Sequence, residues 1–582
     1  MARWDDPLHT DEYSAANRPP VLGTRGIVSS GHYAASFAGA LILQQGGNAI
    51  DAGVAAGLCI NVLQPDMTSL GGVAPIMLYS ADTQAVVTID GLGVWPRAAS
   101  IDFFNTQCGG DMPPGVLRSV VPAAVAAWIA ALDQYGTMSF ARVAAPALEL
   151  AEHGFPVYRF LHRNLIHDLA GYRRFPTTSQ LLLRNGAPLP VGTLLVQSDL
   201  AATLRRMIRA EEQAQSGGRR AGLAAARAEF YEGETAERIT RFMESEGGLL
   251  RAPDLRNYRV RIEQPLRTTY KGYEVLSCGP WCQGPVLLQA LNLLEGDDLA
   301  SLDHNGADYL HLVVESLKLA FADREAYYGD PAVVDVPMDA LLSKAYARER
   351  RSLIREQAFP EMPPHGDVRA RRATVASGEA RASSFKEPDT SYVSAVDRWG
   401  NVFSATPSDS ASTGPLVPGV GCIVSSRGSQ SWLTRGHPSA LAPGKRPRLT
   451  PSPAMAFRDG RPFLVFGTPG GDIQPQAMLQ VLLNVVDFGI ELQTAIEKDR
   501  VHSYSFPNSF WPHTYRPGAL DIEPGLSEQV AADLSSRGHQ VRRLTPWDRH
   551  RSSGVCAIQI GSEPGLLIGA ADNRRESYAV GW

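Results

Sequence analysis

The junction between Asp389 and Thr390 constrains this chain more than any other feature. Before it, residues 365–388 are rich in Arg, Ala, Ser and Glu and lack apolar periodicity. After it, residues 390–397 predict a strand, 398–401 a turn and 402–406 a return strand. If the chain is cleaved directly before a threonine, the new α-amine of that threonine can act as the base for its hydroxyl, because an α-amine has an ordinary pKa of about 7.7–8.0. Taken alone, the pattern is more common as an ordinary hairpin after a loop.

Composition narrows the class of protein. The 582 residues are 44% hydrophobic and 20% charged, with a net charge of −5, which is typical of a globular protein with a large core. We expect neither nucleic acid nor an anionic membrane as partner. No apolar run reaches the length of a spanning helix, and the N-terminus lacks the apolar region of a secretion signal, so the sequence predicts a cytoplasmic protein. The six cysteines form no disulfide framework, and Cys278 and Cys282 lack a second pair at zinc spacing.

The order of predicted elements indicates a layered fold. Helical and strand-like segments alternate up to about residue 360, including long helical regions at 121–154 and 221–245. A polar linker follows at about 365–388, and residues 390–582 are rich in strands. Strands and helices in both parts favour one α+β sandwich over two independent folds.

A glycine-rich turn at 467–472 is the second chemical motif. It follows a predicted strand at 462–466 and precedes a predicted helix at 476–488. The backbone N–H groups of Gly470 and Gly471 could stabilise a developing oxyanion there. The alternative is a tight turn that needs glycine only for its backbone conformation. Serine-hydrolase elbows, zinc helices and phosphate loops are absent from the sequence.

Together these motifs resemble the gamma-glutamyltranspeptidase family, and within it a divergent member of the acylase or oxamate-hydrolysing type. The matching segments, in order, are 46–52, 318–324, 328–331, 389–401, 443–447, 469–471 and 569–575. The resemblance implies a four-layer αββα sandwich of the N-terminal nucleophile hydrolase type, made as one precursor that cleaves itself between Asp389 and Thr390. The pieces 1–389 and 390–582 would remain a heterodimer, with a dimer of heterodimers left open.

The resemblance also implies a catalytic set. Thr390 matches the nucleophile, and Gly470 with Gly471 match the oxyanion pair. Ser408 stands where the family has a second threonine that hydrogen-bonds the nucleophile. Neither a metal nor an organic cofactor is implied.

The implied substrate pocket departs from the family's pattern. Leu92 stands where the family has an arginine that binds the substrate carboxylate, and Leu449–Thr450 stand where it has a serine pair for the same group. Ser410 and Gln430 stand where it has the asparagine and the aspartate that bind the α-amine. Arg427 replaces a carboxamide of the family. A buried ammonium needs an acidic partner, whereas a guanidinium binds a carboxylate. We therefore predict a small amide substrate whose acyl group bears a carboxylate and lacks an α-amino group, such as an oxamate-like or glutaryl-like amide.

Alternatives remain open at this point. Arg427 could instead form an ion pair on the surface or behind the pocket. The chain could be a gamma-glutamyl hydrolase or transpeptidase acting on glutathione and related compounds, which the overall resemblance favours. It could also be an uncleaved, non-catalytic binding protein.

Overall fold

The computed structural model describes residues 16–368 and 390–582 and contains two seven-stranded sheets. Every pair of neighbouring strands in them is antiparallel. The first sheet has, in spatial order, Val21–Gly23, Leu567–Ala571, Cys556–Ile560, Arg461–Gly467, Ala454–Arg458, Tyr273–Ser277 and Leu266–Tyr270. The second has Tyr578–Gly581, Gly26–Ser30, Val393–Asp397, Val402–Ala405, Ile76–Ser80, Ala85–Ile89 and Ile262–Glu263. Each sheet therefore combines strands from both sides of the 389/390 junction.

Three smaller sheets and two groups of helices complete the fold. The small sheets are Val501–Ser503 with Ala519–Ile522 and Gln540–Arg543, Phe155–Pro156 with Leu194–Leu195, and Leu183–Arg184 with Ala187–Pro188. The helices before residue 260 are Tyr33–Gln44, Ala49–Leu63, Ile101–Gln107, Ala124–Tyr135, Phe140–His153, Arg159–His167, Leu169–Arg174, Pro176–Leu182, Ser198–Gln213, Arg219–Tyr231, Glu234–Ser245 and Ala252–Arg256. The later ones are Pro285–Leu294, Ala307–Tyr327, Met338–Leu341, Lys344–Arg351, Gln474–Val486, Leu492–Glu497, Glu528–Ser536 and Pro546–Ser552.

Alternating side chains on the strands divide the core into three apolar layers. In the strand Val393–Asp397, Ala395 packs against the earlier helices, whereas Val396 faces the other sheet. In Ala454–Arg458, Ala456 packs against the later helices and Met455 lies between the sheets. This period-two pattern buries both faces of each sheet. The helix–sheet–sheet–helix order confirms the predicted αββα sandwich.

Asp397 ties two of the sequence motifs together at the end of its hairpin. Its Oδ1 accepts backbone hydrogen bonds from Trp399 at 2.9 Å and Asn401 at 3.0 Å, across a turn in which Gly400 has φ +86°. Its Oδ2 accepts from the Ala49 N–H at 2.8 Å, at the beginning of the helix Ala49–Leu63. A carboxylate at that helix end complements the exposed N–H groups and the helix dipole. The hairpin is thereby fixed to the innermost helix.

Element boundaries differ from the predictions in two ways. The strand expected from Thr390 begins at Val393, so Thr390 lies in the extended segment before it. The long helical region at 221–245 is two helices, Arg219–Tyr231 and Glu234–Ser245. The region at 121–154 is also two helices, Ala124–Tyr135 and Phe140–His153. They separate at Gly136, where a β-carbon would lie 2.7 Å from Asp51 Oδ1. Among the described helices, none is both long and apolar enough to cross a lipid bilayer.

Candidate active site

The hairpin brings Thr390 and Ser408 together. Val393 pairs with Ala405 across the two strands, and beyond them the Ser391 N–H donates to the Pro407 carbonyl at 3.0 Å. The Thr390 and Ser408 hydroxyl oxygens lie 2.8 Å apart, and both residues are buried. The predicted partnership of these two hydroxyls is therefore present in the geometry. Asp389 lies outside the described residues.

Arg427 extends this contact into a charged network. Its Nη2 donates to Ser408 Oγ, and its Nε lies 3.2 Å from Asp409 Oδ1. The Arg427 side chain is 1% exposed and lies over the Phe510 ring at 5.3 Å. Arg427 is therefore buried beside the Thr390–Ser408 pair, which excludes the surface ion pair among the alternatives. Its pairing with Asp409 agrees with the alternative of an ion pair behind the pocket, which stays open.

Asp409 is held in an unusual conformation beside this arginine. Its φ is +100°, a region that non-glycine residues occupy only when their surroundings hold them there. Its carboxylate accepts hydrogen bonds from Ser425 Oγ at 2.8 Å, Ser426 Oγ at 3.0 Å and the Ser426 N–H at 3.1 Å. These bonds fix the counter-charge of Arg427. Asp409 is not among the residues predicted from the sequence, although its position directly after Ser408 was a usable signal.

The glycine turn lies at the adjoining end of the first sheet. Gly470 and Gly471 have φ of +124° and +56°, and a β-carbon on Gly470 would lie 2.7 Å from the Ser552 carbonyl oxygen. At the start of the turn, Gly467 packs against Tyr392, whose ring would lie 2.2 Å from an added β-carbon. Tyr392 is two residues after Thr390, so the turn and the threonine belong to the same region. Both positive φ angles and close packing require glycine here.

Buried ion pairs support the turn from behind. Arg324 donates to Asp472 Oδ1 at 2.5 Å, and Asp472 Oδ2 accepts the Ser509 N–H at 2.8 Å. Burial alone would lower the pKa of Arg324, but the carboxylates of Asp472 and Glu325 raise it above its ordinary value. The guanidinium of Arg324 therefore stays charged and holds Asp472, the residue after Gly471, in place. Arg324 and Asp472 occur in segments 318–324 and 467–472, yet their pairing was not predicted because sequence spacing gives no contact between them.

Gln283 joins the turn to two of the predicted substrate-binding residues. Its Nε2 donates to the carbonyl oxygens of Gly471 at 2.7 Å and Thr450 at 3.1 Å. Thr450 Oγ1 in turn accepts from Gln430 Nε2 at 2.8 Å. Gln430 and Thr450 therefore lie beside the turn. Ser410 bonds instead to Ser412, with 2.9 Å between their hydroxyl oxygens.

The two leucines at the substituted family positions have become core residues. Leu92 and Leu449 are both fully buried and belong to the apolar cluster between the sheets, with Trp281 and Cys282. Neither side chain offers a donor to a substrate carboxylate. Arg427, by contrast, is a buried cation that donates to Ser408 of the Thr390–Ser408 pair.

A buried histidine cluster lies outside this network. The ligand atoms of His311, Glu315 and His539 lie within 4.8 Å of one another. Lys318 Nζ is 2.7 Å from Glu315 Oε1, so this carboxylate already has a cation. Burial lowers the pKa of His539 to about 2, which keeps its ring neutral. The cluster is an internal ion pair beside two hydrogen-bonded imidazoles, 3.0 Å apart.

Comparisons with known proteins agree with this geometry. The family model for gamma-glutamyltranspeptidase matches residues 35–582. Acylase ACY 1 proenzyme from Pseudomonas sp. (strain V22) is 36% identical, covering 97% of this chain and 94% of the relative. Glutathione hydrolase proenzyme from Bacillus subtilis (strain 168) is 31% identical, covering 99% and 94%. The crystal structure of cephalosporin acylase from Bacillus halodurans superposes with a TM-score of 0.83 at 28% identity, covering 97% of both chains.

The two-sheet sandwich and the structural match define an N-terminal nucleophile hydrolase fold. Within that class, the chain belongs to the gamma-glutamyltranspeptidase family. It is an enzyme of the amide hydrolase and acyltransferase type, which confirms the family and the enzyme class expected from the sequence.

Proposed function

We propose that this chain is a self-processing threonine amidohydrolase. Its substrate is a small amide whose acyl group carries a carboxylate and no α-amino group, such as an oxamate-like or glutaryl-like amide. The contact series Thr390–Ser408–Arg427 carries the proposal, because it places a buried guanidinium one hydroxyl away from the candidate nucleophile. The proenzyme names of the relatives support the self-processing part.

Maturation and catalysis use the same hydroxyl. Thr390 Oγ attacks the Asp389 carbonyl, and the peptide C–N bond breaks as an ester forms, which frees the α-amine of Thr390. Water then hydrolyses the ester to give the Asp389 carboxylate and the Thr390 hydroxyl. In turnover, Thr390 Oγ attacks the substrate amide and its proton passes to this α-amine. The N–H groups of Gly470 and Gly471 stabilise the oxyanion. The amide C–N bond then breaks, the amine leaves with the proton, and water hydrolyses the acyl-threonine.

The charges of the site favour an acyl group without an ammonium. Arg427 and the neutral Gln430 replace the acidic partner that an α-ammonium group would need. A guanidinium group can bind a carboxylate through two hydrogen bonds, and Asp409 holds that of Arg427 in place at 3.2 Å. A second candidate is hydrolysis or transfer of gamma-glutamyl groups, which the 31% identity to a glutathione hydrolase favours.

The two pieces would stay together after cleavage. Val393–Asp397 pairs with Gly26–Ser30 in one sheet, and Ala454–Arg458 pairs with Tyr273–Ser277 in the other. Separating the pieces would break both sheets and expose the apolar layers between them. We therefore propose a stable heterodimer of 1–389 and 390–582, with the cytoplasmic location and any higher assembly kept as predictions.

Intact mass of wild-type protein beside Thr390→Ala tests the proposal. We expect two wild-type fragments, the smaller beginning at Thr390, and one uncut chain for the variant. Thr406→Ala, a buried threonine after the return strand, is the matched control and should still cleave. An uncut wild-type chain, stable for days at neutral pH, would contradict self-processing and favour a non-catalytic binding protein.

Two chromogenic substrates then separate the candidate activities. Glutaryl-p-nitroanilide and gamma-glutamyl-p-nitroanilide differ only in the α-amino group. We expect the cleaved protein to have the higher kcat/KM for the glutaryl compound. A higher kcat/KM for the gamma-glutamyl compound would replace the leading proposal with the second.

A further inference from the structure

A buried amide oxygen without a hydrogen-bond donor lies beside the glycine turn. Gln430 is 0% exposed, and its Oε1 accepts no hydrogen bond from the described residues, 16–368 and 390–582. Its Nε2 is engaged, since it donates to Thr450 Oγ1 at 2.8 Å. A buried acceptor that lacks a donor is rare in folded proteins and is destabilising. An unpaired oxygen in this place therefore favours a ligand that donates a hydrogen bond to it.

Gln430 shares one face of a short 3₁₀ helix, Arg427–Gln430, with Arg427. With three residues per turn, side chains three positions apart lie above one another, about 6 Å apart along the axis. Arg427 and Gln430 therefore place a cation and a neutral amide on the same face. Arg427 also connects this face to the candidate nucleophile, because it donates to Ser408, whose hydroxyl oxygen lies 2.8 Å from that of Thr390.

Hydrogen bonds connect the other end of the same face to the glycine turn. Gln430 contacts the Thr450 side chain, and the Thr450 carbonyl oxygen accepts from Gln283 Nε2 at 3.1 Å. The same Nε2 donates to the Gly471 carbonyl oxygen at 2.7 Å. The 3₁₀ helix therefore connects the hydroxyl pair with the proposed oxyanion site.

Close packing fixes the other side of the 3₁₀ helix. A β-carbon on Gly428 would lie 2.5 Å from the Trp95 ring and closer still to the Arg118 carbonyl oxygen. Trp95 Nε1 also donates at 2.9 Å to the hydroxyl of Ser431, directly after the helix. The helix therefore has little freedom to rotate, and the guanidinium and the amide are oriented before a substrate binds.

We propose that the acyl group carries a hydroxyl group on the carbon next to its carboxylate, and that this hydroxyl donates to Gln430 Oε1. The inference rests on the proposed amidohydrolase function and specifies its acyl group as an α-hydroxy acid joined to the leaving amine through its distal carboxyl. Arg427 binds the carboxylate, Gln430 binds the hydroxyl and the glycine turn binds the reacting carbonyl. This set of contacts favours the glutaryl-like acyl group over the oxamate-like one, which has no carbon for a hydroxyl.

A series of p-nitroanilides that differ at one carbon tests the proposal. The glutaryl, 2-fluoroglutaryl, 2-hydroxyglutaryl and gamma-glutamyl compounds are each joined through the distal carbonyl. We expect wild-type kcat/KM to favour the better enantiomer of the hydroxy compound over the glutaryl compound by about tenfold or more, because a substrate without the hydroxyl leaves the buried oxygen unpaired. Fluorine is similar in size to a hydroxyl group but cannot donate, so the fluoro compound should show no gain over the glutaryl compound.

Variants of Gln430 locate the preference. Gln430→Met keeps a side chain of similar length but removes the acceptor, so the ratio of hydroxy to glutaryl kcat/KM should fall to within about twofold of one. Gln480→Met is the matched control, because Gln480 is a buried glutamine that donates to the Val501 carbonyl oxygen at 2.9 Å and accepts the Val501 N–H at 3.0 Å. It should retain the wild-type ratio. If Gln430→Met fails to fold, Gln430→Asn, whose shorter side chain withdraws the acceptor, gives the same comparison.

The series separates this inference from the function on which it rests. Equal kcat/KM for the hydroxy and glutaryl compounds, both above the gamma-glutamyl compound, would overturn the hydroxyl and keep the amidohydrolase proposal. The highest kcat/KM for the gamma-glutamyl compound would overturn both. A hydroxyl preference that persists in the Gln430 variant, or an equal gain from fluorine, would overturn the hydrogen bond to Gln430.

Binding replaces turnover if no amide is hydrolysed. Calorimetry then compares 2-hydroxyglutarate with glutarate, and we expect the hydroxy acid to bind about tenfold more tightly to the wild type. Loss of this difference in the Gln430 variant would support the site without the amidohydrolase function. Equal binding of the two acids to the wild type would overturn it.

Discussion

Ser408→Ala is the most informative single change, because Ser408 stands between the candidate nucleophile and the buried cation. Its hydroxyl oxygen lies 2.8 Å from that of Thr390 and accepts a hydrogen bond from Arg427. Alanine removes both contacts, while the backbone N–H of residue 408 still donates to the Val73 carbonyl. We therefore expect folding to persist while the Thr390 hydroxyl loses its orientation.

The size of the effect follows from the charge of Arg427. A hydrogen bond to a charged group contributes about 1.5–3 kcal/mol, roughly twice a neutral one. Each 1.36 kcal/mol added to a barrier slows a reaction about tenfold. If the contact supports Thr390 in the transition state, Ser408→Ala should slow both self-cleavage and substrate hydrolysis roughly 10- to 150-fold.

Maturation kinetics by intact mass measure this directly. Ser394→Ala is the matched control, because Ser394 is a buried serine on the same hairpin that donates to the Ser29 carbonyl at 3.2 Å. It should cost stability but leave the cleavage rate within about threefold of wild type. Ser408→Thr restores the hydroxyl and should recover most of the rate. Equal cleavage rates for Ser408→Ala and Ser394→Ala would refute the orienting role.

Three further outcomes are expected. Gly470→Ala should lower kcat by about 100-fold or more, because its φ of +124° and the nearby Ser552 carbonyl oxygen would force the turn to move. Gly489→Ala is the control: Gly489 also has a positive φ, +68°, but open space around it, and kcat should stay unchanged. Gln430→Asp should raise the ratio of gamma-glutamyl to glutaryl kcat/KM by about tenfold, since it supplies an acid for the α-amine. Burial lowers the pKa of His502 from about 6.5 to about 3, so the folded protein keeps this ring neutral while the unfolded chain protonates it. The free energy of unfolding is therefore unaffected by His502 above about pH 6.5 and decreases as the pH falls toward 3. Between pH 6 and 4, the free energy of unfolding measured in urea should fall by about 1.4 kcal/mol less per pH unit in His502→Gln than in the wild type. The same pH dependence in both proteins would contradict this.

The sequence predicted the parts of this molecule that local pattern determines. The hairpin after Thr390 and the glycine turn both occur where alternation and consecutive glycines indicated them. Contacts between distant segments could not be predicted in the same way. Arg324 meets Asp472 across 148 residues of chain, and periodicity carries no information about which motifs touch. The positive φ of Asp409 was not predicted either, because the serines that donate to its carboxylate, Ser425 and Ser426, lie 16 and 17 residues further along the chain.

The geometry of Arg427 also links maturation to substrate selection. One guanidinium contacts Ser408, which contacts Thr390, and the same group is the cation proposed to bind the acyl carboxylate. A substrate carboxylate that draws Arg427 toward itself would act on the hydroxyl pair directly, whereas a neutral acyl group would leave it unchanged. Asp409 limits this movement, because three hydrogen bonds from Ser425 and Ser426 fix its position. Selection for the acyl group and orientation of the nucleophile are therefore expected to change together in any Arg427 variant, whereas changes at Gln430 should alter selection alone.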